Sequence, residues 1–199
     1  IRDRSEITLV NVVFPSEVKV PPQGILYLTA ALEATGHDVD IRDYQLSGLD
    51  APWEPGVLAG FVSGASRILG FSCMSYALPL IIAASKLIKA EDPDKLIILG
   101  GIGPSGAGAP LLEYCPQIDI IVVGEGERTV VELMDCIERG GDLSGVAGII
   151  YRKDAEVLTT AARPRIPSLT QLAPPAYRRI DLSRYRLVDS QFGRGCPFK

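Results

Sequence analysis

Ile118-Asp119-Ile120-Ile121-Val122-Val123-Gly124-Glu125-Gly126-Glu127 is the stretch that decides the fold. The run from Ile118 to Val123 is too apolar for a strand with one wet face, so it belongs in a sheet covered on both sides. Gly124 ends the strand, and apolar residues at helical spacing follow from Glu127 to Arg139. A buried strand that feeds straight into a helix is one half of a βαβ unit.

The same grammar repeats upstream. Strands are read over Ile7–Phe14, Val39–Tyr44, Ile68–Ser72 and Leu96–Leu99, and helices over Gly24–Thr35 and Leu78–Ala90. Gly36 stops the first helix, and Pro15 bounds the first strand. Val39-Asp40-Ile41-Arg42-Asp43-Tyr44 alternates, which puts the second strand near a sheet edge. Right-handed crossovers between such strands give an α/β fold: a doubly wound, five-stranded parallel sheet of Rossmann-like or flavodoxin-like type. The expected strand order is 2-1-3-4-5, although the sequence does not fix order. After about residue 142 the pattern changes. Val146–Arg152 and Val157–Thr160 alternate around Lys153-Asp154-Ala155-Glu156, which reads as a β-hairpin. Arg163-Pro164-Arg165-Ile166-Pro167 and Pro174-Pro175 then make an extended Pro-rich connector, because frequent prolines break helix and ladder alike.

Of the 199 residues, 47% are hydrophobic and 22% charged, the balance of a globular chain with a real core. A net charge of −4 lacks the basic footprint expected of a nucleic-acid or anionic-membrane binder. Cysteines at 73, 115, 136 and 196 are too scattered for a disulfide framework. Ile1-Arg2-Asp3-Arg4 opens no signal-peptide core, and no apolar run is long enough to span a membrane, so the expected compartment is a cytoplasmic, reducing one. A start at Ile rather than Met reads as a trimmed N-terminus.

Ligands of a doubly wound sheet bind beyond the carboxyl ends of its strands, where loop amides and helix N-termini point. Those ends here are Pro21-Pro22-Gln23-Gly24, Ser72-Cys73-Met74-Ser75-Tyr76, Gly100-Gly101-Ile102-Gly103-Pro104-Ser105-Gly106 and Gly124-Glu125-Gly126-Glu127-Arg128-Thr129. Glycines end strands in any case, but small-residue loops along one whole rim leave space for a bulky ligand. A receiver domain needs an acidic phosphoacceptor where this chain has Ser72-Cys73, and a flavodoxin needs a Ser/Thr/Gly phosphate loop where it has Pro15-Ser16-Glu17-Val18. Gly101 to Gly106 satisfies the letters of a dinucleotide fingerprint, with Glu125 near the place of a ribose-binding acid. It follows the fourth strand rather than the first, however, and Pro104 and Pro110 crowd the helix it should open. NAD(P) binding is therefore an alternative reading.

In chain order, Pro21–Gly24, Gly70-Phe71-Ser72-Cys73, Gly100–Pro104, the run Ile118–Glu127, Gly148-Ile149-Ile150-Tyr151-Arg152 and the Pro-rich connector resemble one family. They look like the N-terminal cobalamin-binding domain of cobalamin-dependent radical S-adenosylmethionine enzymes. The final Arg194-Gly195-Cys196-Pro197-Phe198-Lys199 resembles the opening of that family's C-x-x-x-C-x-x-C motif, cut off before its second cysteine. The resemblance covers essentially the whole chain. It implies a cobalamin-binding domain over 1–141, the hairpin and connector over 142–192, and the first residues of a radical S-adenosylmethionine domain over 193–199. Cys196 would be the first of three thiolate metal ligands to a [4Fe–4S] cluster that chelates S-adenosylmethionine; without the other two it should be an ordinary thiol.

The resemblance also implies a corrin on the rim and a nucleotide tail threading down into the sheet. The residues that would hold cobalamin are Pro22, Gly24, Ser72, Cys73, Met74, Ser75, Tyr76, Gly100, Gly101, Ile102, Gly103, Pro104, Gly124, Glu125, Gly126 and Thr129. No catalytic role falls to Glu125 or Glu127, since a carboxylate beside a helix N-terminus has a structural reason to be there. The implied partner is a downstream radical S-adenosylmethionine domain working on a small-molecule substrate, with no nucleic acid and no membrane. The parent would methylate an unactivated carbon or phosphorus centre, or run a cyclisation or rearrangement. A binding or sensor module without catalysis is the other reading.

Cobalamin mutases carry Asp-x-His-x-x-Gly, whose histidine replaces the cofactor's own base on cobalt. The single histidine here, His37 in Thr35-Gly36-His37-Asp38-Val39-Asp40, lacks both flanking residues and lies on the opposite rim. It reads as a surface connector residue, so bound cobalamin should be base-off with no histidine ligand. Cys73 and Met74 lie on the ligand rim, where closing a strand is the plainer role for a small buried residue. Cys115 and Cys136 read as core, Trp53 should pack against something, and Tyr76 covers the cofactor or caps the next helix.

Overall fold

The structure is a computed structural model that describes residues 7–13, 18–188, 191, 193 and 194. Parallel strands β1 (Ile7–Val12), β2 (Val39–Asp43), β3 (Ile68–Cys73), β4 (Leu96–Gly100) and β5 (Ile120–Val122) lie in the order β2-β1-β3-β4-β5. This is the order expected. The five-strand count is corrected: β6 (Ile149–Lys153) and β7 (Glu156–Thr159) extend the same sheet to seven strands. They add antiparallel, with Ile120 opposite Tyr151 and Val122 opposite Ile149. The hairpin is drawn in because β5 would otherwise present an unpaired, wholly apolar edge.

Helices α1 (Gln23–Ala34), α2 (Pro55–Phe61), α3 (Leu78–Glu91), α4 (Ile102–Ala107), α5 (Ala109–Tyr114) and α6 (Gly126–Glu138) cover both faces. The short ones, α2, α4 and α5, escape a periodicity reading because prolines and Gly108 (φ +64°) cut them to a turn or two. Alternate residues along each strand serve different cores. Val10, Val12, Leu69, Phe71, Ile97 and Leu99 pack under α2, α3 and α5. Ile7, Leu9, Ile68, Ile98, Ile120 and Val122 face α1 and α6. Each such side chain, fully buried, contributes about 1.5–3 kcal/mol.

The proline-rich connector is a fastened belt. Arg163 donates from Nε to Thr129 Oγ1 at 2.7 Å and pairs with Glu132, both on α6. Ala176 N–H reaches Leu26 O on α1 at 3.1 Å, Arg178 and Arg179 pair with Glu33, and Tyr185 Oη donates to Asp43 Oδ2 at 2.8 Å. The belt therefore crosses α6, α1 and the end of β2 before the chain turns back.

Two expectations about single residues are corrected. His37 does lie at the amino edge of the sheet, but it is only 4% exposed. Gly36 (φ +93°) turns the chain so that the ring enters the gap beside α6, with Nε2 3.2 Å from Asp135 Oδ1 and Nδ1 3.2 Å from Glu138 Oε1. Trp53 is 66% exposed. The buried aromatic of that loop is Tyr44, which donates to Pro52 O at 2.7 Å and meets Phe61 edge-on at 5.1 Å. Cys115 and Cys136 are partly buried and pack against the two cores, as expected.

His37→Ala should cost about 1–2 kcal/mol of unfolding free energy, the size of a lost buried polar contact. Urea denaturation would measure it; a change below about 0.5 kcal/mol would return His37 to the ordinary surface class.

Candidate cofactor-binding site

Along the face that meets α1 and α6, the strands lose their side chains toward their carboxyl ends. β3 presents Ile68, Gly70 and Ser72, and β4 presents Ile98 and Gly100. The missing bulk leaves a slot of about 520 Å³ between sheet and helices. Leu9, Gly70 and Ile98 form its floor, Leu28 and Val130 its roof. Gly24, Gly100 and Gly124 stand at its mouth, where an added Cβ would meet nothing closer than 4.0 Å. An adjoining hollow of about 220 Å³ lies beneath Pro22, Cys73 and Met74. A larger one of about 770 Å³ opens on the other side, against the hairpin's end and the connector, and shares Gly124, Glu125 and Arg194 with the slot.

The slot thus gathers Gly24, Ser72, Gly100, Gly101, Ile102, Gly124, Glu125 and Gly126 of the residues the sequence singled out. The smaller hollow adds Pro22, Cys73 and Met74. Ser75, Tyr76, Gly103, Pro104 and Thr129 line neither of these two. Ser75 and Tyr76 form an exposed turn before α3, and Met74, Tyr76 and Ile102 present apolar surface on the rim at 48%, 52% and 64% exposure. Thr129 is buried and holds Arg163. Gly101 (φ +99°) and Gly103 let α4 lie directly on the backbone after β3: their Cβ atoms would come within 2.5 Å of Cys73 O and 2.9 Å of Met74 C. The fingerprint-like spacing of these two glycines thus has a packing origin. Burial pushes the Cys73 thiol up to about 12, as for a residue that closes a strand.

Sequence reasoning missed Gly70 as a slot residue, although a glycine inside Ile68-Leu69-Gly70-Phe71-Ser72-Cys73 is the signal of a close approach. It also missed Glu127, and its pairing with Arg194, at the mouth. Glu127, in the first turn of α6, is 4% exposed; its Oε1 lies 2.5 Å from Arg194 Nη2, and its Oε2 has no hydrogen-bond partner among the described residues. Arg194 Nη1 is 3.7 Å from Glu125 Oε1, and the guanidinium sits 5.0 Å over the Tyr27 ring. Burial works against the charge on Arg194, but the hydrogen bond and charge of Glu127, with Glu125 and Tyr27, outweigh it and raise its pKa. Glu125 Oε2 accepts from Ile166 N–H, which pins the connector to the same spot.

Residues 10–134 match the family described as the B12 binding domain. The chain belongs to the B12-binding family. It is 30% identical over 187 residues to the anaerobic magnesium-protoporphyrin IX monomethyl ester cyclase of Synechocystis, covering 90% of this chain and 37% of that protein. It is 24% identical over 199 residues to the hopanoid C-3 methylase of Methylococcus capsulatus, covering 91% of this chain and 35% of that protein. The chain thus spans less than two-fifths of these curated relatives. The apo structure of the cobalamin-dependent S-adenosylmethionine radical enzyme OxsB superposes with a TM-score of 0.77 at 20% identity, over 98% of this chain and 27% of that one, a likeness of fold. The cobalamin-binding part of the resemblance drawn from the sequence holds: this is a B12-binding domain, similar over nearly its whole length to part of a cyclase and part of a methylase.

Cobalamin suits the residues present, because the mouth glycines leave room and Glu127 Oε2 is a buried acceptor on the slot wall without a partner among the described residues. An iron–sulfur cluster has no such match: among the described residues no group of three His, Cys, Asp or Glu side chains could hold a metal ion. Cys196 lies outside the described residues.

With its pKa near 12, native Cys73 should alkylate at pH 8 about a thousandfold more slowly than the same residue in denaturant. Peptide mapping after timed iodoacetamide treatment reads this directly; rates within about tenfold would mean that Cys73 opens onto the rim.

Proposed function

We propose that this chain binds cobalamin with the corrin on the rim and the nucleotide tail in the slot, and presents it to a downstream radical S-adenosylmethionine domain. The slot carries the reading: a glycine-floored cleft at the carboxyl ends of parallel strands, in a B12-binding domain. Leu9, Ile98, Leu28 and Val130 would exclude water from the tail, while Gly24, Gly100 and Gly124 leave the mouth clear. Met74, Tyr76 and Ile102 would offer apolar surface to the corrin, with Ser72 and Ser75 as hydrogen-bonding groups. Pro22, Cys73, Gly101, Gly103 and Pro104 would shape the wall, Glu125 and Gly126 the mouth, and Thr129 would act through the connector. A tail held in the slot would leave cobalt without its own base. His37 is on the far edge of the sheet and would supply no replacement, so the bound form would be base-off with no histidine ligand. When bound, cobalamin supplies methyl or electron transfer at cobalt, and the protein supplies position and exclusion of water.

We further assign the cobalamin-binding domain to 1–141, the hairpin and connector to 142–192, and the start of the next domain to 193–199. In the whole protein Cys196 would be the first ligand of a [4Fe–4S] cluster that binds S-adenosylmethionine. Its reaction would be methylation of an unactivated centre, or a cyclisation or rearrangement, on a small molecule; relatives named as a methylase and a cyclase support that range. A reducing cytoplasm fits the free thiols of Cys73, Cys115 and Cys136. Among the described residues no helix is long and apolar enough to cross a membrane.

Titration of the purified chain with hydroxocobalamin, followed by absorbance and with NAD⁺ as control, should give saturable binding and a base-off spectrum, and none for NAD⁺. Gly70→Val should weaken cobalamin binding about tenfold or more, since a branched side chain overfills the slot floor. Unchanged affinity in that variant, or binding of NAD⁺ instead, would overturn the assignment.

A further inference from the structure

Glu127 is a buried carboxylate that is only half used. Its Oε1 serves Arg194 and its Oε2 has no hydrogen-bond partner among the described residues, although the residue lines the slot. An ionised carboxylate only accepts, so the missing partner must be an N–H or O–H donor. Leaving a buried charged oxygen bare is costly, so a bare one beside a cleft points to what fills the cleft. The corrin periphery carries primary amides and the nucleotide tail a ribose hydroxyl, which are donors of the required kind.

Arg194 is held by the other oxygen, by Glu125 Oε1 at 3.7 Å and by the Tyr27 ring at 5.0 Å. It precedes Cys196 by two residues, and a chain reaches about 7 Å at most over that distance. Fixing this guanidinium therefore fixes the start of the cysteine segment relative to the slot.

We propose that Glu127 couples the two: Oε2 accepts a hydrogen bond from an amide or ribose donor of the slot's occupant, while Oε1 latches Arg194. Filling the slot and anchoring the chain ahead of Cys196 then become one event. This rests on the cobalamin reading above, and Glu127 and Arg194 act as binding and positioning residues. The opposite arrangement, with Arg194 as a plug that must leave before the slot fills, would strand the Glu127 carboxylate without its counter-charge.

The test is a cobalamin titration of the full chain and of Glu127→Gln, Arg194→Ala, the double variant and Arg194→Lys, with apo melting curves to confirm folding. Each of the first two should bind hydroxocobalamin about tenfold or more weakly, the range of one charged hydrogen bond. The double variant should be no more than about threefold worse than the weaker single one, because the pair works as a unit. Arg194→Lys should recover part of the loss. Single variants that bind like the parent, losses that multiply independently, or tighter binding by Arg194→Ala would each overturn the coupling. If Glu127→Gln does not fold, the two Arg194 variants decide by their sign. A folded parent chain that binds no cobalamin would instead bring down the cobalamin reading, and this inference with it.

Discussion

A strip of missing side chains on one face of the sheet is what the rest of the molecule is arranged around. Gly70 and Gly100 sit on neighbouring strands, where Ser72 pairs with Gly100 in register. With nothing rising from the sheet there, a slot of about 520 Å³ stays open beneath α1 and α6, and where the two helices meet, a Cβ on Gly126 would come within 3.1 Å of Leu28 Cδ2. The opposite face is filled with Val12, Phe71 and Leu99. One face of the sheet thus supplies stability through burial, and the other forgoes some of it to keep a cleft.

That asymmetry would be fragile if the cleft's walls could move, and three devices hold them. The hairpin β6–β7 lengthens the sheet beyond its short fifth strand. Gly101 and Gly103 clamp α4 onto the end of β3 at distances no side chain would permit. The connector then straps α6, α1 and β2 through Arg163, Arg179 and Tyr185 and returns the chain to the mouth of the slot at Arg194. Gly193 and Arg194 therefore lie beside the cleft because the belt carries the chain there.

Much of this was legible in the sequence. Runs such as Leu96–Leu99 and Ile118–Val123 are so apolar that only a buried parallel sheet accommodates them, and the small-residue loops lie on the rim where the slot opens. What was not legible depends on contacts between distant residues. Nothing local tells that His37 enters a gap beside Asp135 and Glu138, or that Trp53 stays out because Tyr44 fills the space beneath its loop. The hairpin read as a separate unit because strand pairing is not written in either strand alone. Gly103 and Thr129 lie on the expected rim yet serve packing and the belt, since a loop's glycine or hydroxyl does not announce which neighbour it serves. The partnership of Glu127 with Arg194 joins the start of α6 to the far end of the belt, and such a distant pairing has no sequence signature.

Whether the glycine-floored slot takes the nucleotide tail of cobalamin is tested most directly by comparing cobalamin with cobinamide, which lacks that tail. Parallel titrations of the chain, read by absorbance, should show cobalamin binding in a base-off form and cobinamide binding at least about tenfold more weakly. Equal affinity for the two would mean that the slot contributes nothing to recognition and would contradict the account.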